Sequence, residues 1–374
     1  MIRPFAALTL VAGICLTIEA EVPDKTFDVS PGQTLHVDLK TGGSIRIRGT
    51  AEKTVTVNTT IKGRNAEDFR VNFDQTKTGV SITSRYAGST KSHSGRVDLV
   101  ITVPNQFLTD LHTTGGSIAI DGVEGSHKAK TMGGSLDLRN LKGKVSMTTM
   151  GGSIDLVSSQ VDGKVSTMGG KVKIKDVSGD IKGTSMGGDV IYENVQRPGM
   201  VAGNKRVEIS TMGGDIKVGN APAGAKVKTM GGAIRIGSAK DFVDATTMGG
   251  SIEIEALDGG VNAITYGGDI TVTMVGDPSA GRRDVTLKSL NGELRLTVPA
   301  SLSADIEVEL AYTKNSARDF KITSDFPLTI TETPEWDDDH GTPRKTIHAK
   351  GSTGGGKNKI HLKTINGNVV IKKQ

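Results

Sequence analysis

Thr131-Met-Gly-Gly-Ser-Leu-Asp-Leu138 returns eighteen residues later as Thr149-Met-Gly-Gly-Ser-Ile-Asp-Leu156, and again as Thr167-Met-Gly-Gly-Lys-Val-Lys-Ile174. Ser185-Met186, Thr211-Met212, Thr229-Met230 and Thr247-Met248 precede four further Gly-Gly pairs. Thr113-Thr114-Gly115-Gly116 opens the series and Thr265-Tyr266-Gly267-Gly268 closes it. Every step between pairs is 18 residues except the one from Gly187 to Gly213. A short fixed period marks a chain built from stacked, near-equivalent units.

Each unit reads as strand, turn, strand, turn. Two positions after the glycine pair alternate apolar with polar, as in Ile118/Ile120, Leu136/Leu138 and Ile252/Ile254. A second alternating pair follows nine residues on, as in Val145/Met147 and Val261/Ala263. That is the period of a half-buried strand. One unit cannot bury its inward face alone, so the units must stack. The fold predicted is an all-β, single-stranded β-solenoid with 18-residue coils. Ten coils, counting the degenerate Leu290-Asn291-Gly292 corner, make a rod of roughly 48 Å at the strand spacing of a sheet. The expected division is a leader over 1–20, a β cap over 21–110, the solenoid over 111–297 and a second β cap over 298–374.

Several features fix details of that expectation. The glycines suit a corner that needs positive φ or close backbone approach. The seven methionines are expected to pack as core filler. Outward charges of opposite sign fall on neighbouring rungs at Asp155/Lys173 and Arg235/Glu253, which favours stacking.

Composition bounds the function. The chain has 374 residues with 49 Gly, 3% aromatics and a net charge of +5. Arg3 followed by an apolar run from Phe5 to Ile18, with Ala20 before Glu21, reads as a secretory signal. Its removal takes out Cys15, leaving no thiol for disulfides or zinc. The basic excess favours anionic envelope polymers or lipid surfaces as partners. Nucleic acid is disfavoured, because no arginine–aromatic stacking motif is present.

No catalytic motif emerges, and no cofactor is implied. Calcium-loaded turns require a recurrent carboxylate, but the relevant positions include Ala119, Lys173, Lys217 and Arg235. Asp337, Asp338, Asp339 and His340 form the densest hard-ligand cluster. The default reading of that cluster is a solvated acidic loop. Two breaks in the period carry basic residues: Arg197, Lys205 and Arg206 in the first, Arg282 and Arg283 in the second. Both fall in the second half of a coil, so a basic contact edge is predicted from these five residues.

The chain resembles the bacterial putative-adhesin β-strand repeat family, a domain of unknown function in envelope proteins. The resemblance rests on Phe27-Asp-Val-Ser-Pro-Gly32, Thr41-Gly-Gly-Ser-Ile-Arg-Ile47, Val97-Asp-Leu-Val-Ile-Thr-Val-Pro104, Thr114-Gly-Gly-Ser-Ile-Ala-Ile120 and Lys363-Thr-Ile-Asn-Gly-Asn-Val-Val-Ile371. It implies a non-enzymatic surface protein that binds envelope polymers or surface proteins. A polysaccharide-acting β-helix enzyme and a periplasmic stress-sensing module are the alternatives.

Overall fold

The computed structural model describes residues 18–63, 68–87, 95–196, 206–316, 319–338 and 341–374. Over these residues the chain is all-β, with thirty strands hydrogen-bonded into one continuous system and no α-helix. Glu124–Thr131 pairs in parallel with Lys142–Thr149, and each residue meets the one eighteen positions later. Leu136–Arg139 meets Ile154 to Val157 with the same offset. The strands that follow the glycine pairs therefore form one parallel ladder, and those that precede the next pair form a second.

The inward residues of the two ladders make one continuous core. Ile118, Ile120, Leu136, Leu138, Ile154 and Leu156 from the first ladder are buried, as are Leu111, Ala129, Met147 and Val165 from the second. Burying one such side chain is worth about 1.5–3 kcal/mol. Ordering a residue's backbone costs about 1–2 kcal/mol. The handful of core residues in a coil cannot offset eighteen ordered residues, so stability resides in the contacts between coils.

Side chains compensate across the core. Tyr192 takes a position held in neighbouring coils by Leu, Ile or Val. Its hydroxyl accepts from Gly183 N (2.6 Å) and donates to Ile181 O (3.2 Å). A Cβ on Gly183 would lie 3.1 Å from that hydroxyl, so the large residue requires the small one opposite.

The turn from the first ladder to the second has its own column. Asn140, Ser158, Asp176 and Asn194 all adopt a left-handed conformation, with φ between 50° and 53°. Non-glycine residues pay for this conformation sterically, and Asn and Asp tolerate it best. Asn140 and Asn194 each donate from Nδ2 to a neighbouring carboxylate, Asp121 (2.7 Å) and Asp176 (2.8 Å).

Coil-like pairing extends into both flanking segments. Thr34–Leu39 and Ile45–Thr50 stack on Leu108–Thr113 and Ile118–Asp121. Asn358–Ile365 and Val369–Lys373 stack on Val285–Ser289 and Leu294–Val298. Antiparallel strands join at the extremities. Thr54–Gly63 lies between Ile18–Asp28 and Gly95–Pro104, while Arg344–Thr353 lies between Ala304–Thr313 and Thr329–Glu332. Such pairings occupy edges that an open stack would leave unpaired. The expected signal segment lies mostly outside the described residues. Its predicted cleavage point after Ala20 falls inside Ile18–Asp28, where Ile18, Glu19 and Ala20 pair with Gly63, Lys62 and Ile61.

Candidate functional site

The recurrent corner is built from hydrogen bonds that cross between coils. Thr149 Oγ1 donates to Gly134 O (2.8 Å) and accepts from Gly152 N (3.2 Å). Thr131, Thr167, Thr229 and Thr247 repeat both contacts, and Ser185 supplies the same hydroxyl. These hydroxyl residues are buried. The second glycine of each pair sits over the second glycine below it. A Cβ on Gly152 would lie 2.1 Å from Gly134 O, whereas one on Gly151 would meet nothing closer than 3.6 Å. Close approach, not positive φ, therefore demands the second glycine.

The methionines do not join the core. Met132, Met150, Met168, Met186, Met212, Met230 and Met248 are 43–52% exposed. The strand period explains the correction: Thr131 points inward, so Met132 points outward. Tyr266 and Leu290 continue the same exposed column.

The residue after each glycine pair also has a structural task. Ser117, Ser135 and Ser153 accept through Oγ from the backbone N–H of the equivalent residue one coil on. Asp189 and Asp215 do so through Oδ1, to Asp215 N (3.0 Å) and Ala233 N (2.8 Å). These two carboxylates line a shallow groove of about 300 Å³ together with Lys217, Arg235 and Glu253. Each acid there is engaged, since Glu253 pairs with Arg235 at 2.7 Å. That ion pair joins adjacent rungs as the sequence predicted. Lys173 is the rung neighbour of Asp155, but its ion pair is with Glu193 at 3.9 Å.

The predicted basic edge is only partly assembled. Arg197 and Lys205 lie outside the described residues. Arg206 stacks over the Phe242 ring at 5.1 Å. Arg282 is exposed and pairs with Asp284. Arg283 is not a surface residue. It is 2% exposed, pairs with Asp258, and donates to Val275 O (2.8 Å) and Ala280 O (3.1 Å). It fastens the second insertion onto the coil beneath, because a guanidinium can satisfy several acceptors at once. In the acidic segment, Asp337 exchanges backbone hydrogen bonds with Arg344, and Asp339 and His340 lie outside the described residues. Among the described residues, no group of three or more His, Cys, Asp or Glu is placed to hold a metal.

The sequence missed a lysine-rich face on the second ladder. Lys128, Lys130, Lys144, Lys164 and Lys182 are all exposed and point outward from consecutive coils. Lys164 and Lys182 are direct rung neighbours, an arrangement that is destabilising on its own. Lys182 reaches Glu208 at 3.9 Å. Asp162 is the rung neighbour of Lys144, but its Oδ1 accepts from Asp180 N. The signal was present as Lys at alternate positions in Lys128-Ala-Lys130 and Lys142-Gly-Lys144.

His127 lies inside the same ladder, fully buried. Its Nε2 contacts Val123 O (3.2 Å), and a carbonyl can only accept, so Nε2 carries the proton. Nδ1 then accepts from Thr109 Oγ1 (3.1 Å). Burial holds its pKa down at about 4. It is a neutral core residue, not a surface base.

No family model and no curated protein sequence matches the chain. Among solved structures, it is similar to a putative adhesin from Bacteroides fragilis NCTC 9343, at 16% identity and a TM-score of 0.29, covering 70% of this chain and 98% of that one. A putative adhesin from Parabacteroides distasonis ATCC 8503 shows 16% identity and a TM-score of 0.31, over 68% of this chain and 96% of that one. A putative lipid binding protein from Parabacteroides distasonis ATCC 8503 shows 10% identity and a TM-score of 0.30, over 68% and 96%. Among the described residues, no helix is long and apolar enough to cross a membrane.

Proposed function

We propose that the chain is an exported, non-enzymatic β-solenoid that binds anionic material of the bacterial envelope along one face. The observation that carries this reading is the lysine face. Lys128, Lys130, Lys144 and Lys164 form no ion pair among the described residues. Ser146, Thr148 and Ser166 lie between them as hydrogen-bonding neighbours. A cluster of cations spread over successive rungs of one face suits a polymer or surface with repeating negative charge. Arg206 and Arg282, described cations of the predicted basic edge, offer a second basic contact.

The test is co-sedimentation of the full chain with an anionic polyphosphate polymer and with a neutral glucan, across a salt series. Binding is expected to the polyanion only, weakening as salt rises. Each lysine near an anionic surface contributes about 1 kcal/mol. Replacing Lys128, Lys130, Lys144 and Lys164 by Gln should therefore weaken binding by about two to three orders of magnitude. Unchanged binding by this variant, or equal binding to the neutral glucan, overturns the reading.

A further inference from the structure

The exposed methionine column is unexplained by the fold. Its position tolerates Thr114 before the run and Tyr266 and Leu290 after it. The corners at Thr113, Thr265 and Ser289 keep their inter-coil hydroxyl bonds at 2.8–2.9 Å regardless. Packing does not select methionine here, since all seven side chains are about half exposed. Other outward positions change freely from coil to coil. The position four residues beyond the first glycine runs Asp137, Asp155, Lys173, Ile191, Lys217, Arg235, yet the methionine persists through seven successive coils.

The column is also unbroken. Gly151 N donates to Met132 O (3.0 Å), Gly169 N to Met150 O (2.9 Å) and Gly187 N to Met168 O (2.9 Å). Across the first insertion, Met212 N still donates to Met186 O (3.1 Å). The methionines therefore stay in step across that break in the period. Thioethers therefore emerge one per rung, about 4.8 Å apart.

That spacing has a chemical meaning. A metal–sulfur bond is roughly 2.3 Å, so one ion between two sulfurs spans about one rung. Methionine has three rotatable bonds with which to close the remaining distance. Thioethers are soft, neutral ligands that select Cu(I) and its like over hard cations. Lys130 and Lys228 beside the column repel divalent ions more than monovalent ones.

We propose that the corner methionines form a linear site for soft monovalent cations, Cu(I) or Ag(I), each held by thioethers from adjacent coils. The site is independent of the lysine face, so either can fail without the other. Unlike thiolate or imidazole sites, thioethers need lose no proton, and binding should not vary over about pH 5 to 8.

Silver nitrate serves as a redox-inert probe. The full chain, with methionine methyl groups labelled by carbon-13, is titrated in chloride-free buffer and followed by NMR and calorimetry. Expected are saturable binding of more than one ion per chain, shifts confined to corner methyls with Met147 and Met274 unmoved, and the same affinity at either end of that pH range. Leu stands at this corner in Leu290, so Met150→Leu/Met168→Leu/Met186→Leu should fold and lose at least about tenfold in affinity or a matching share of the sites. Met212→Leu/Met230→Leu/Met248→Leu gives an independent second variant. Absence of saturable Ag(I) binding, binding unchanged in both variants, or affinity that collapses with acid as a histidine site would overturn the proposal.

Discussion

Adding one methyl group at Gly152 and adding one at Gly151 should have opposite effects. At Gly152 the new Cβ would lie 2.1 Å from Gly134 O, 2.4 Å from Gly134 C and 2.6 Å from Ser135 N. Normal contact begins at about 3.5 Å, so the two coils must separate locally by about 1 Å. Three inter-coil bonds cross that gap: Thr149 Oγ1 to Gly134 O (2.8 Å), Gly151 N to Met132 O (3.0 Å) and Leu136 N to Ser153 O (2.9 Å). At about 1 kcal/mol net for each, the loss is about 3 kcal/mol. Alanine lowers the entropy of the unfolded chain, which returns about 0.4–1 kcal/mol. Gly152→Ala should therefore destabilise by about 2–3 kcal/mol. Gly151→Ala has no contact under 3.6 Å and φ outside the left-handed region, so it should be neutral or stabilise by up to about 1 kcal/mol. Urea denaturation of the full chain followed by circular dichroism measures the difference. Hydrogen exchange over residues 131–174 checks that the loss is local, as expected when stability is summed from neighbouring coils. Equal effects of the two substitutions, or greater harm at Gly151, would refute the close-approach account of the corner.

Three further outcomes follow from the same geometry. Thr149→Val should destabilise by about 1–3 kcal/mol by stranding Gly134 O and Gly152 N, whereas Thr149→Ser should be tolerated because Ser185 and Ser289 do the same work; thermal melts of the two variants check this. His127 has a folded pKa of about 4 against about 6.5 when unfolded, so the unfolded state binds more protons in that window. Its stabilising share should be intact above about pH 6.5 and fall by about 3 kcal/mol as pH drops through 4; His127→Val lacks this loss, so the urea midpoint of the wild type should fall relative to that of the variant across that range. Arg283→Ala should loosen the second insertion and cost about 3 kcal/mol or more by leaving Asp258 and two carbonyls unpaired, seen as faster hydrogen exchange over residues 275–284, while Arg282→Ala should leave exchange there unchanged.

The period-two and period-eighteen signals made the ladders readable directly, because identical residues at identical offsets can only stack. Arg235 and Glu253 were legible for the same reason. Orientation at the corner is less legible. The apolarity of the methionines suggests core, although Ala129 and Thr131 already occupy the inward positions of that strand. The burial of Arg283 is not legible in the sequence, which does not show that Asp258 and two carbonyls converge under the loop. The left-handed column at Asn140, Ser158, Asp176 and Asn194 was hidden by its varied chemistry, since several residue types can serve one backbone conformation. The lysine face is visible only across rungs, because along any one coil its lysines are interspersed with Ser, Thr and Asp.

Near-equivalence of the coils creates a problem of identity during folding. A parallel ladder of interchangeable units can zip up one whole coil out of step and still place Thr on Gly and Met on Met, so the corner itself gives no protection against that error. Discrimination must come from pairs between coils that occur once: His127 with Thr109 and Arg283 on Asp258. Each strands a polar group or leaves a void if shifted by eighteen residues. These irregularities act as address labels, telling each coil which neighbour is its own.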